Sequence, residues 1–96
     1  MYLLIVSYVK PAEEVTPHIE THSVWVKKYL KEGIFLMAGQ KKSKLGGAIL
    51  VKSMDKNTLR KIIEEDSYVT ADVAEYQIID FDCKATAPGL ELLAST

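Results

Sequence analysis

The chain has 96 residues, enough for one domain but too few for a generous core, so gaining stability by burying a second face against a partner copy is expected. Twelve basic and 13 acidic residues leave a formal net charge of −1, which excludes the positive field that gathers nucleic acid or an anionic membrane. Cys83 is the only cysteine, so no intrachain disulfide can form, and the two histidines do not complete the paired spacing of a zinc site. With no basic-then-apolar leader and no bilayer-length apolar run, the expectation is a soluble cytoplasmic protein.

Tyr2 to Val9 is almost continuously apolar and rich in β-branched and aromatic residues, the pattern of a strand buried on both faces, and Lys10-Pro11 ends it. Apolar positions at Val15, Ile19, Val26, Tyr29 and Leu30, with His22 among them, then follow helical spacing. Lys27, Lys28, Lys31 and Glu32 occupy the other side, and Gly33 closes the helix. Ile34 to Ala38 reads as a second strand, Gly39 to Leu45 as a polar turn, and Ala48 to Lys52 as a third strand led in by Gly46-Gly47.

Ser53 is the expected N-cap of a second helix, with Asp55 in its first turn and its end near Glu65. Leu59, Ile62 and Ile63 form its apolar face, and the same rhythm lands next on Asp66. A last strand is expected through Val73 to Cys83, where apolar residues pass from one face (Tyr76, Ile78) to the other (Ile79, Phe81), implying a bulge or two covered faces. Pro88-Gly89 breaks the chain before a short apolar tail, Leu90 to Ala94, placed for contact with a neighbouring subunit.

The order is βαββαβ. In a chain this short it predicts an α+β, ferredoxin-like domain: a four-stranded antiparallel sheet with both helices on one face. The domain spans 1–96, with its core within about 1–83 and a tail over 84–96. No third helix is present to cover the other face, so two copies are expected to pack sheet to sheet as a homodimer.

His22 and Asp66 are ionisable residues where each helix should turn its apolar face inward. Alone, His22 fits a core histidine bonded to a backbone carbonyl. An aspartate facing inward at a helix C-terminus is harder to satisfy, because the macrodipole opposes its charge and an unpartnered buried ion costs about 3 to 5 kcal/mol. Each residue is therefore the other's expected partner, and an imidazole backed by a carboxylate is a proton-transfer pair. Lys41, Lys42 and Lys44 either draw an anion or keep a hairpin tip wet, and Glu64 and Glu65 fall outside the apolar rhythm and are expected to be solvated.

His22, Gly33, the Ala38-Gly39 turn, Gly46-Gly47 and Asp66 followed by Tyr68 and Ala74-Glu75-Tyr76 together resemble the YciI-like (YCII-related) family of small dimeric α+β barrel proteins, over the chain up to about Phe81. The resemblance implies that His22 and Asp66 are an active-site pair. Three positions depart from the family pattern: Gly39-Gln40 stands for Gly-Pro, Asp66-Ser67-Tyr68 for Asp-Pro-Phe, and Asp72 for a glycine. Losing both prolines is expected to loosen the walls of the site. At Asp72 an aspartate would tolerate a positive φ better than most residues.

The resulting expectation is a small-molecule enzyme in which a His22–Asp66 pair carries out an isomerisation or elimination. The other reading is a non-catalytic, small-molecule-binding homodimer. Tyr68 beside the aspartate, Gly39 in the turn and His18 one helical turn before His22 are the candidate substrate-binding residues. No sequence signal for a metal, flavin or nicotinamide is present, so cofactor-independent chemistry is expected.

Overall fold

The computed structural model describes residues 1–96. The elements are β1 (Tyr2–Tyr8), α1 (Ala12–Val15), a 3-10 turn (Thr16–His18), α2 (Ile19–Lys31), β2 (Phe35–Gln40) and β3 (Gly46–Val51). They continue with α3 (Lys56–Glu64), α4 (Ser67–Thr70), β4 (Ala74–Asp80) and a final 3-10 turn (Glu91–Ser95). The four strands form one sheet in the order β2-β3-β1-β4, antiparallel throughout, and the helices pack on one side of it. This is the expected ferredoxin-like α+β fold, the unit from which dimeric α+β barrels are built.

Period-two alternation assigns the two faces. Tyr2, Leu4 and Val6 of central β1 are buried toward the helices, where Leu4 meets Trp25 and Tyr29 of α2 and Leu59, Ile62 and Ile63 of α3 in one core. The Trp25 indole N–H donates to the Ile62 carbonyl at 3.0 Å and ties the two main helices together. On the opposite face Leu3, Ile5, Ala48 and Leu50 are half-buried, Ile79 is exposed and Met37 is 60% exposed. The middle of that face is apolar, flanked by Glu75 and Gln77 of β4, and has no cover within the chain.

Several expected boundaries move, each for a local reason. The first helix is interrupted: Pro17 lacks an N–H, and Thr16–His18 tightens to a 3-10 turn between α1 and α2. Asp55, not Ser53, caps α3, accepting from the Asn57 and Thr58 N–H groups. The Ser53 hydroxyl instead accepts from the Met1 amino group and donates to the Thr96 carbonyl, fastening the tail to its own chain. Gly46 and Gly47 lie inside β3 rather than before it, and a Cβ on Gly46 would sit 1.9 Å from the Val6 carbonyl oxygen. β4 ends at Asp80, earlier than expected, and pairs with β1 without a bulge; the irregularity lies in β2, between Phe35 and Met37. Asp72 has φ 58°, the left-handed conformation anticipated there. No helix is long and apolar enough to cross a membrane.

Candidate functional site

Asp66 does not close α3. The chain turns after Glu65, and Asp66 takes extended dihedrals as the N-cap of α4, where its Oδ1 accepts from the Tyr68 N–H at 3.1 Å. Its placement against a new helix N-terminus removes the dipole conflict that a C-terminal position would impose. The side chain is fully buried and accepts two further hydrogen bonds, from His22 Nδ1 at 2.7 Å and from the Tyr76 hydroxyl at 2.5 Å on Oδ2. Three donors surround one carboxylate, which satisfies the burial that would otherwise be costly.

The network assigns the histidine. With Nδ1–H donating to Asp66, the neutral imidazole presents its Nε2 lone pair, and Nε2 makes no hydrogen bond within the chain. The side chain is 19% exposed. Its ring lies flat on Tyr68, with centroids 3.9 Å apart and planes 5° apart, and the Tyr68 hydroxyl meets that of Tyr8 at 3.4 Å. Burial, and then the bond with Tyr8, pushes the Tyr68 phenol above its ordinary range; burial, and then the Asp66 charge, does the same at Tyr76. Both phenols therefore stay protonated, and that of Tyr76 donates to Asp66.

His22 opens onto a cavity of about 290 Å³ between α2 and the sheet. Ile19, His22, Ser23 and Val26 form its roof, the i, i+3, i+4, i+7 face of α2. Its floor is the helix-facing side of the sheet, with Val6, Ala38, Gln40, Gly47 and Ile49. The space exists because Ala38 and Gly47 bring almost no side chain to that face. No Lys, Arg, Asp or Glu lines it, while the Ser23 hydroxyl and the Gln40 amide make no hydrogen bond within the chain.

The structure thus brings His22, Asp66 and Tyr68 together, and Gly39 borders the cavity through its backbone. His18 does not line it; its carbonyl accepts from the Ser67 and Thr21 hydroxyls and anchors the start of α2 to α4. Lys41 lies on the far side of the sheet, its Nζ donating to the Ser7 hydroxyl at 2.8 Å, and Lys42 and Lys44 are exposed. Glu65, expected to be merely solvated, accepts from the Tyr29 hydroxyl at 2.5 Å and lies 3.8 Å from Lys28 Nζ. Burial, and then this bond, pushes the Tyr29 phenol up to about 12. No three His, Cys, Asp or Glu side chains converge on a point where they would hold a metal ion.

Tyr76, Tyr8 and Ser23 are site residues that the sequence reading did not single out, and Gln40 entered it only as the replacement for a turn proline. Tyr76 carried a signal: it shares the inward face of β4 with Ile78, and a buried tyrosine hydroxyl needs a partner.

Among solved structures, the chain is similar to 5-chloro-2-hydroxyhydroquinone dehydrochlorinase (TftG) from Burkholderia phenoliruptrix AC1100, solved in complex with 2,5-dihydroxybenzoquinone. The TM-score is 0.67 over 85% of this chain and 94% of that one, at 12% identity, a likeness of fold. No curated protein matches the chain. The family model described as the YCII-related domain matches residues 1–82, from the first strand through the last and including the whole site, and the chain belongs to that family.

Proposed function

We propose that the protein is a cytoplasmic, homodimeric small-molecule enzyme in which His22 moves a proton while Asp66 holds and backs it. The observation that carries this reading is the 2.7 Å bond from His22 Nδ1 to a buried carboxylate, with Nε2 unengaged at a cavity. In this scheme Nε2 takes a proton from an acidic carbon or hydroxyl of the substrate, and Asp66 stabilises the imidazolium that forms. The proton then returns to another atom of the substrate, an isomerisation, or accompanies a leaving group, an elimination. The second outcome is the class to which the dehydrochlorinase TftG, of the same fold, is assigned by name. Ser23 and Gln40 are the free polar groups available to a developing oxyanion.

The lining also favours an uncharged, largely apolar substrate, since no formal charge other than a protonated His22 faces the cavity. None of Lys41, Lys42 and Lys44 lines it. Pairing of two chains through the apolar face of Leu3, Ile5, Ala48 and Leu50 supplies the missing cover.

The test is a screen of neutral enolisable and halogenated ring compounds for turnover, with His22→Gln as the control. Turnover that depends on an ionisation near neutral pH and is abolished in a folded His22→Gln variant is expected. A fully active variant refutes the role. Ligands that raise the melting temperature without turnover identify a binding module instead.

A further inference from the structure

Asp66 has two oxygens with separate employers. Oδ1 accepts from His22 Nδ1 and from the Tyr68 N–H, and Oδ2 accepts from the Tyr76 hydroxyl at 2.5 Å, the shortest bond of the three. The Tyr76 ring is fixed in the core beside Trp25, with centroids 6.4 Å apart, and its backbone is paired to Val6 in the middle of the sheet. Its hydroxyl is therefore delivered to Oδ2 from a strand paired along its length with central β1, and it does not border the cavity.

We propose that Tyr76 is a positioning residue that acts on His22 through Asp66: its hydroxyl draws carboxylate charge to Oδ2 and so tempers the support that Oδ1 gives the imidazole. This rests on the His22–Asp66 reading of the site. A carboxylate shared among three donors stabilises an imidazolium less than one that serves the imidazole alone. Removing the Oδ2 donor returns charge to Oδ1, and Oδ1 stays in place because the Tyr68 N–H still holds it at the cap of α4. The Tyr76 phenol is itself pushed upward by burial and by Asp66, so it remains a donor throughout the range in which histidine titrates.

Few other groups act on the pair. Tyr68 faces it from α4, with Tyr8 of β1 behind. Glu65 is occupied by Tyr29 and Lys28 of α2. The cavity brings no further charge, and His18 is turned to α4 through its carbonyl.

The experiment is an NMR pH titration of the imidazole resonances in the wild-type protein, Tyr76→Phe and Asp66→Asn, with His18→Gln to assign the signals. In Tyr76→Phe the His22 midpoint is expected to rise by about half a pH unit or more, and the acid limb of any turnover profile to move with it. In Asp66→Asn the midpoint falls. A role in packing alone leaves the midpoint unmoved in Tyr76→Phe, and that result, or a fall, overturns the proposal. If Asp66→Asn also leaves it unmoved, the His22–Asp66 reading fails as well, so the two failures are distinguishable. Should Tyr76→Phe not fold, site-specific 3,5-difluorotyrosine at position 76 keeps the shape and strengthens the donor. The midpoint is then expected to fall, and one that stays put or rises overturns the proposal.

Discussion

Replacing Asp66 with alanine and with asparagine separates the hydrogen-bond role of this residue from its charge. Alanine removes all three acceptor contacts at once. The Tyr68 N–H is buried and left without a partner, and the Tyr76 hydroxyl and His22 Nδ1 lose theirs at partly buried positions. A buried orphaned donor costs about 1 to 3 kcal/mol and each of the two partly buried ones about 1 kcal/mol, so the sum is roughly 3 to 5 kcal/mol, a large share of the stability of a domain this small. Asparagine keeps the shape. Its Oδ1 still accepts from His22 and from the Tyr68 N–H, and its amide N–H₂ turns the Tyr76 hydroxyl from donor to acceptor. Only the charge is lost, at about 1 to 2 kcal/mol. Urea and thermal unfolding followed by circular dichroism, with all variants at one protomer concentration so that any association acts equally on each, measure both. The alanine variant is expected to melt about 10 °C or more below the asparagine variant. An alanine variant within about 1 kcal/mol of wild type would show that the donors do not depend on the carboxylate. Equal damage from both substitutions would show that charge, not hydrogen bonding, is what Asp66 supplies.

Leu50→Lys places a charge on the uncovered sheet face, away from the helix-side core, and is expected to halve the mass seen by light scattering while the far-ultraviolet spectrum is retained; a mass unchanged from wild type refutes pairing through this face. Gly46→Ala drives a methyl against the Val6 carbonyl at a φ of 151° and is expected to disrupt the β1–β3 ladder, whereas Gly39→Ala, with nothing within 4 Å, stays within about 0.5 kcal/mol of wild type by thermal unfolding. Tyr29 titrates at about 12 when folded against an ordinary value of 10.0, so its contribution to stability is complete below pH 10 and is lost as the pH rises through 12. Alkaline unfolding followed by tyrosinate absorbance is expected to show this loss, reduced in Tyr29→Phe; an identical profile in the variant refutes the assignment to Tyr29.

The strands and main helices were legible because their periods are strong: β1 places Leu4 and Val6 on one face and Leu3 and Ile5 on the other, and α2 carries an apolar stripe interrupted by His22. Asp66 was legible as a residue facing inward, but its local setting was not. Periodicity extrapolates a helix straight on, whereas Asp66-Ser67 carries its own capping chemistry and starts a new one. The chain therefore starts a new helix at the residue where the spacing placed only the end of the last one. Pro17 is the same kind of event, a backbone rule overriding a side-chain pattern. Tyr76 was legible only as an inward residue of the last strand and Gln40 only as the replacement for a turn proline, because their roles lie in what stands opposite across the sheet or the cavity, a relation between distant segments. Lys41 shows the converse: its place in a lysine run suggested solvent or an anion, and one register position turned it onto the face away from His22.

His22 and Asp66 are 44 positions apart and come from opposite halves of the chain, one from the first βαβ unit and the other from the second. The halves are interleaved as well, since β1 of the first lies between β3 and β4 of the second. Neither half can assemble the pair alone, and neither can finish the sheet. Cleavage at the exposed Lys42–Lys44 tip would thus yield two fragments that are inert apart and regain the pair only by threading one strand between two others. The bond between histidine and aspartate would serve as an internal reporter of that reunion, making this small domain a natural candidate for a split sensor of molecular proximity.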